Sequence, residues 1–270
     1  MRHIPTSSLW GASLMMSQIG KCWHMGDLNQ QLWVFCCGMI RSGSTLQYQL
    51  AAGLVEVCGT GRRSRYVSEN RFAELLTEYK EISGLIVVKA HLLTPAMEDL
   101  LIDRRALSIG CYRDIRDVAV SIMRKWNVTF EELVANRWLD RAIEMLESWS
   151  LHPRHLLSKY EDVRDNPARE VLRIASHLSI DCSDRLAVDL ADAFSIEQQR
   201  RRVQIIAEKK ASLNIEGDYW DKESLLHHNH LFSGGSGDWK NMLTQQQVKI
   251  LESRHRDWLL AKGYCLSSPE

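Results

Sequence analysis

The chain of 270 residues is long enough to bury roughly 75% of the surface it exposes when unfolded, as one large domain or two small ones. Its 34 Lys and Arg balance its 34 Asp and Glu, which excludes whole-molecule attraction to nucleic acid or to an anionic membrane and requires any anion site to be local. No run of about 18 apolar residues is present, so no transmembrane helix is expected. Trp10 to Ile19 is interrupted by Gly11, Ser13, Ser17 and Gln18 and does not read as a signal peptide. Seven cysteines, an odd number with no CxxC pair, suit a reduced, cytoplasmic protein.

Residues 1–30 read as a polar arm, and 31–270 as one domain. Leu32 to Cys37 is a short apolar run of β-type residues, a buried strand ended by Gly38. Leu46, Leu50 and Leu54 then recur at helical spacing. Between strand and helix lies Gly38-Met-Ile-Arg-Ser-Gly-Ser-Thr45, whose layout resembles the phosphate-binding loop GxxxxGK[ST]. Ser44 stands where that motif has Lys, which argues against hydrolysis of a nucleoside triphosphate. The loop suits a nucleotide with a shorter 5′ end.

Farther along, Gly59 to Arg65 reads as a turn and a basic cluster, either a solvated loop or part of an anion site. Residues 69–82 form a predicted helix. Gly84 to His91 is a second buried strand, ending in Lys89 and His91, and Thr94-Pro95 opens a helix. Ala106 to Tyr112 is a third strand, followed by Arg113-Asp-Ile-Arg-Asp117 and an amphipathic helix. A long helix is expected over 130–150, a fourth strand over His155 to Tyr160, and helices over 167–177, most of 184–210, and 244–262. Residues 212–241 have the composition of a mobile lid, with His227-His-Asn-His230 and Ser233-Gly-Gly-Ser-Gly237. Most tryptophans read as packing residues, with Trp239 placed near a nucleotide.

Strands alternating with helices predict an α/β fold: three layers, with a mainly parallel central sheet flanked by helices and a P-loop-like first turn. Such sheets bind ligands at the carboxyl ends of their strands. Arg41, Lys89, His91 and Arg113 all fall there.

These residues resemble the sulfotransferases that use 3′-phosphoadenosine 5′-phosphosulfate (PAPS). Arg41-Ser-Gly-Ser-Thr45 looks like their first loop, and Arg113 with Ser121 like their Arg-x7-Ser pair. Lys89 and His91 resemble the Lys-x-His after a middle strand, Tyr160-Glu-Asp their YED turn, and Gly237-Asp-Trp-Lys-Asn241 their GDWKN lid end. The resemblance implies a cofactor-binding loop of Arg41, Ser42, Gly43, Ser44, Thr45 and Leu46, in which the backbone N–H groups of Gly43, Ser44 and Thr45 and the Thr45 hydroxyl hold the phosphosulfate end. Arg113 and Ser121 would hold the 3′-phosphate, with Tyr160, Gly234, Gly237 and Trp239 completing the nucleotide site. It further implies His91 as general base, with Lys89 and Arg41 as cations that stabilise the leaving phosphate. A histidine with an unperturbed pKa of about 6.5 suits the task. No metal is required, because a sulfuryl group carries less charge than a phosphoryl group. The run at His227 to His230 lacks suitably spaced carboxylate or Cys partners for one.

Several positions depart from the family pattern. Arg41 replaces a lysine and can act only electrostatically. Leu46 replaces an adenine-stacking Trp. Phe232 and Ser233 stand where the lid carries an Arg-Lys pair, leaving Arg200, Arg201, Arg202 or His230 as substitutes at the 3′-phosphate. The acceptor is expected to be a small molecule or a lipid in preference to a polymer, with no nucleic acid partner and no stable membrane insertion. Two other readings compete: a catalytically silent nucleotide-binding module on the same fold, and a P-loop kinase, which Ser44 disfavours.

Overall fold

Residues alternate along the first strand, β1 (Gln31–Gly38), so that Trp33, Phe35 and Cys37 enter one hydrophobic cluster while Val34 and Cys36 enter another. In the computed structural model, which describes residues 31–229, 231 and 234–267, β1 lies at the centre of a five-stranded sheet. The other strands are β2 (Gly61–Tyr66), β3 (Gly84–Lys89), β4 (Ala106–Tyr112) and β5 (His155–Lys159), in the order β2-β3-β1-β4-β5. All pairings are parallel, with Val34 opposite both Val87 and Leu107. Every strand therefore delivers its carboxyl end to the same edge.

Helices cover both faces, as a parallel sheet requires. On one side α1 (Ser44–Val57), α8 (Pro167–Leu178) and α9 (Asp184–Ala193) close the cluster containing Leu50, Leu54 and Ile174. On the other, α2 (Phe72–Glu78), α3 (Pro95–Ile102) and α6 (Trp138–Ser150) bury Phe72, Met97 and Trp149 against Trp33 and Phe35. A third cluster joins α4 (Ile115–Trp126), α5 (Phe130–Ala135) and α12 (Gln245–Ala261) around Met39 and Trp239. Among the described residues the remaining α-helices are α7 (Tyr160–Asp165), α10 (Ile196–Ser212) and the single turn α11 (Trp239–Met242).

Three expectations need correction. The basic cluster after Gly59 is an edge strand, β2: Arg63 pairs with Glu56 at 2.6 Å and Arg65 with Glu78 at 2.5 Å, while Ser64 turns inward. Paired charges on an exposed edge let a polar sequence serve as a strand. The helix expected over 130–150 is two helices, because Arg137 takes a left-handed φ of 55° between α5 and α6. The lid is anchored within its length: Leu225 and Leu226 are buried, and Gln49 Nε2 donates to the Ser224 carbonyl at 2.6 Å. The arm at 1–30 and the positions His230, Phe232 and Ser233 lie outside the described residues.

Candidate active site

Gly38 ends β1 with φ 109°, and a Cβ there would lie 2.4 Å from the Cys111 carbonyl oxygen, so only glycine lets the loop turn this close to β4. Ser42 is fully buried, its Oγ 2.7 Å from the carbonyls of both Met39 and Cys111. Its hydroxyl fastens the loop to the scaffold and leaves the backbone to face a ligand. Gly43 caps α1 with φ 87°. No side-chain hydrogen bond caps this helix and no acidic residue lies in its first turn, an arrangement that favours an anion. Ser44 is buried and Thr45 half-buried at that terminus. Leu46 packs against the core cluster.

Arg41, at φ 61° in the same loop, donates from Nε to Ser121 Oγ at 2.9 Å. Burial and the charge of Arg113 lower its pKa to about 10, so it remains a cation at neutral pH. Arg113, 8% exposed, approaches the Arg41 carbonyl at 3.5 Å. Lys89, 2% exposed, completes a group of three cations at the carboxyl ends of β1, β3 and β4. Burial lowers the Lys89 ammonium to about 8. Arg41 and Arg113 are close enough for the charge of one to lower the pKa of the other, a repulsion that an anion relieves.

His91 follows Lys89 out of β3. Its Nδ1 lies 3.0 Å from the Gly38 carbonyl, which can only accept, so Nδ1 carries the hydrogen and Nε2 the lone pair. Nε2 is 3.3 Å from Lys89 Nζ. Burial, and then the Lys89 charge, pull the imidazole down to about 3; the ring is neutral at physiological pH. Trp149 Nε1 donates to the His91 carbonyl at 2.9 Å and fixes the backbone from α6. The half-exposed ring of Tyr66, at the end of β2, lies 6.1 Å from the imidazole.

A glycine-rich strap, 234–239, closes over Arg113. Tyr160 Oη donates to the Gly234 carbonyl at 3.0 Å, and Arg113 Nη2 to the Gly235 carbonyl at 2.9 Å. Asp117 accepts from the backbone N–H of Gly237 at 2.7 Å and of Trp239 at 3.1 Å. Tyr160 also stacks under the Arg113 guanidinium at 4.5 Å and fills the space where a Gly43 side chain would stand. The Trp239 ring turns into the core beneath Arg116, 3.9 Å away. Arg113 Nε is buried without a hydrogen-bond partner, an unmet donor that an anionic ligand would satisfy.

The structure thus brings together Arg41, Gly43, Arg113, Ser121, Tyr160, Gly234 and Gly237, with Lys89 and His91 beside Gly38. It does not bring the arginines of α10 to Arg113. Arg201 pairs with Glu197, and Arg202 donates to the Ala193 carbonyl and covers Phe194; Arg200 is exposed on the same helix. His227 and His228 both lean on Asp218, at 2.7 and 3.4 Å, together with Lys125 at 3.1 Å. Among the described residues no group of three His, Cys, Asp or Glu side chains is arranged to hold a metal. Sequence reasoning overlooked Asp117, Gly235 and Trp149. Only the fourth-residue spacing of Asp117 after Arg113 hinted at a pair.

The family model described as Sulfotransferase domain matches residues 31–262. Among solved structures, the chain aligns with retinol dehydratase in complex with retinol and PAP at a TM-score of 0.60 and 20% identity, covering 88% of this chain and 83% of that one. The complex of retinol dehydratase with androsterone and inactive cofactor PAP gives 0.58 and 19%, covering 88% and 82%. Mouse sulfotransferase SULT7A1 complexed with PAP gives 0.61 and 16%, covering 87% and 84%. No curated protein matches the sequence.

Proposed function

Because the chain belongs to the sulfotransferase domain family, we propose that it moves a sulfuryl group from PAPS to a hydroxyl or amine of a small-molecule or lipid acceptor. Adenosine 3′,5′-bisphosphate (PAP) is the second product. One observation carries the reading: three buried cations and a histidine held neutral stand at the carboxyl ends of β1, β3 and β4. A kinase would need a lysine at Ser44, and none is there.

PAPS supplies the sulfuryl group and the phosphate that leaves it. The Gly43-Ser44-Thr45 backbone and Arg41 hold the phosphosulfate end, and Arg113 the 3′-phosphate, where its Nε lacks a partner. His91 takes the acceptor proton on Nε2, since its Nδ1 hydrogen is committed to Gly38. In the structure that lone pair faces Lys89. Binding of both substrates exchanges this contact: Nε2 turns to the acceptor and the ammonium to the oxygen that gathers charge as the S–O bond to phosphate breaks. The half-exposed Tyr66 ring lies beside His91, an aromatic surface in keeping with a small, partly apolar acceptor. Two similar structures are complexes of retinol dehydratase, one with retinol and one with androsterone. A cytoplasmic setting is part of the proposal, supported by the thiols of Cys36, Cys37 and Cys111 buried beside the site.

Transfer of label from PAPS to a panel of hydroxylated lipids, steroids, phenols and cell-extract metabolites, with and without EDTA, tests this. Label transfer that survives EDTA is expected. Binding of PAP with no transfer to any acceptor would favour the silent nucleotide-binding module, and a thermal shift with ATP–Mg²⁺ alone would favour a kinase.

A further inference from the structure

Asp117 contacts both halves of the site proposed for the 3′-phosphate. It is 1% exposed, lies one helical turn beyond Arg113 on α4, and sits 3.8 Å from the Arg113 guanidinium. Its two oxygens accept from the backbone N–H groups of Gly237 and Trp239. Arg113 grips the carbonyl of Gly235 in the same strap. A buried carboxylate is costly unless its oxygens are satisfied. Here they are satisfied by a segment more than a hundred residues away, so the strap closes where Asp117 holds it.

Asp117 holds the strap from below, and the buried Trp239 ring fixes its far end. Gly234 and Gly237 have φ of 65° and 83°, a conformation open to glycine and entropically expensive to hold. The side-chain bond of the strap to α7 is long, Ser236 Oγ to Glu161 at 3.4 Å. Before Trp239, whose ring is buried, the strap is held at backbone atoms: by Tyr160 on Gly234, by Arg113 on Gly235, and by Asp117 on Gly237 and on Trp239 itself.

We propose that Asp117 is a positioning residue for the nucleotide: it orients the Arg113 guanidinium and pins the 234–239 strap over it, so that recognition of a 3′-phosphate depends on Asp117 without contact between the two. This rests on the reading of the site as one for PAPS and PAP. The anchor also offers a physical account of how a lid without the Arg-Lys pair serves the site. The strap contributes backbone geometry held from below, and Arg113 contributes the charge.

The test compares PAP with adenosine 5′-monophosphate, which lacks the 3′-phosphate, on wild type, Asp117→Asn and Asp117→Glu. Asp117→Asn keeps the shape but turns one acceptor into a donor facing a backbone N–H. Its Kd for PAP should rise about 10–30-fold, the scale of one charge-assisted contact, with the monophosphate changed less than about threefold on the same reasoning. Asp117→Glu, which keeps the charge and displaces it, should fall between. KM for PAPS should rise with turnover at saturating PAPS retained. Equal losses for both nucleotides, or none, would overturn the proposal and leave Asp117 a fold-supporting residue. Should the variants fail to fold, hydrogen exchange on the wild type decides: PAP should slow exchange at Gly237 and Trp239 and the monophosphate should not. Equal protection by both would overturn the role. A wild type that does not bind PAP removes the parent reading and this role together; a wild type that binds it, with an unchanged nucleotide ratio in Asp117→Asn, removes this role alone.

Discussion

The Lys89 ammonium stands 3.3 Å from Nε2 of His91. With burial, that charge brings the imidazole to about 3, while burial alone brings the ammonium to about 8. The unperturbed value of about 6.5 expected from sequence therefore does not describe this site. The pH profile of kcat/KM, which reports the free enzyme, should be flat from pH 5 to 7 and fall above about pH 8, where Lys89 loses its charge. Lys89→Arg should remove the basic limb. His91→Ala should bind PAP normally and lose about 10²–10⁴-fold in single-turnover transfer, the usual share of a positioned base. An acidic limb near pH 6.5, or full transfer by His91→Ala, would remove His91 in this form from the mechanism.

Gly43 and Tyr160 meet so closely that no side chain fits between them. A Cβ on Gly43 would lie 2.4 Å from Tyr160 Cδ2, on a backbone with φ 87°. The ring cannot withdraw freely, because its hydroxyl holds Gly234 and its face supports Arg113. Gly43→Ala should cost about 1–3 kcal/mol of stability for the left-handed backbone alone and weaken PAP binding by displacing Tyr160. Tyr160→Phe keeps the ring and loses one hydrogen bond, so about 0.5–1.5 kcal/mol is expected. Denaturant melts with and without PAP separate the two effects; an Ala variant with wild-type stability and affinity would contradict this account of the loop.

Arg113 has a charge-assisted contact to offer and one donor, Nε, with nothing to receive it. Arg113→Ala should weaken PAP by about 2–4 kcal/mol and barely alter affinity for adenosine 5′-monophosphate. Calorimetric titration of both nucleotides checks this. Equal weakening would mean that the guanidinium serves chiefly to hold Gly235.

The parts of this site that could be read in the sequence are those in which one segment contains both the cause and the consequence. The apolar runs of β1, β3 and β4 place Lys89 at a strand end and Arg41, His91 and Arg113 just beyond one. β2 was obscured because Gly-Arg-Arg-Ser-Arg-Tyr lacks an apolar face, and its partners Glu56 and Glu78 belong to neighbouring helices. Asp117 was equally obscured: its function lies in two backbone N–H groups 120 and 122 residues downstream. The lid looked mobile because glycine and histidine dominate its composition, while its anchors, Leu225, Leu226 and the Gln49–Ser224 hydrogen bond, are tertiary.

Acid stability follows from the other buried histidines as well as from His91. His155 Nδ1 is 2.8 Å from Ser108 Oγ, its Nε2 is buried without a hydrogen-bond partner, and burial, with the charges of His177 and His152, lowers it to about 4. His177 and His255 are also lowered, each chiefly by burial. A histidine whose folded pKa is depressed binds fewer protons folded than unfolded between the two values, so stability rises with pH through that window and is lost as pH falls below the unfolded value of about 6.5. Taking His155 alone, the loss by pH 5 is about 2 kcal/mol, or roughly 4–8 °C in melting temperature at this chain length. Melting temperature should therefore decline steadily from pH 7 to pH 5, without change of the apo fold at the upper end. His155→Gln, which can still pair with Ser108 and does not titrate, should flatten part of that decline. PAP should stabilise the fold throughout, by about 2.7 kcal/mol at a hundredfold excess over Kd, since the site proposed for it includes Arg41 and Arg113 and not His155. A melting temperature independent of pH between 7 and 5, or a His155→Gln profile parallel to the wild type, would show that His155 finds a proton-tolerant partner in the folded protein.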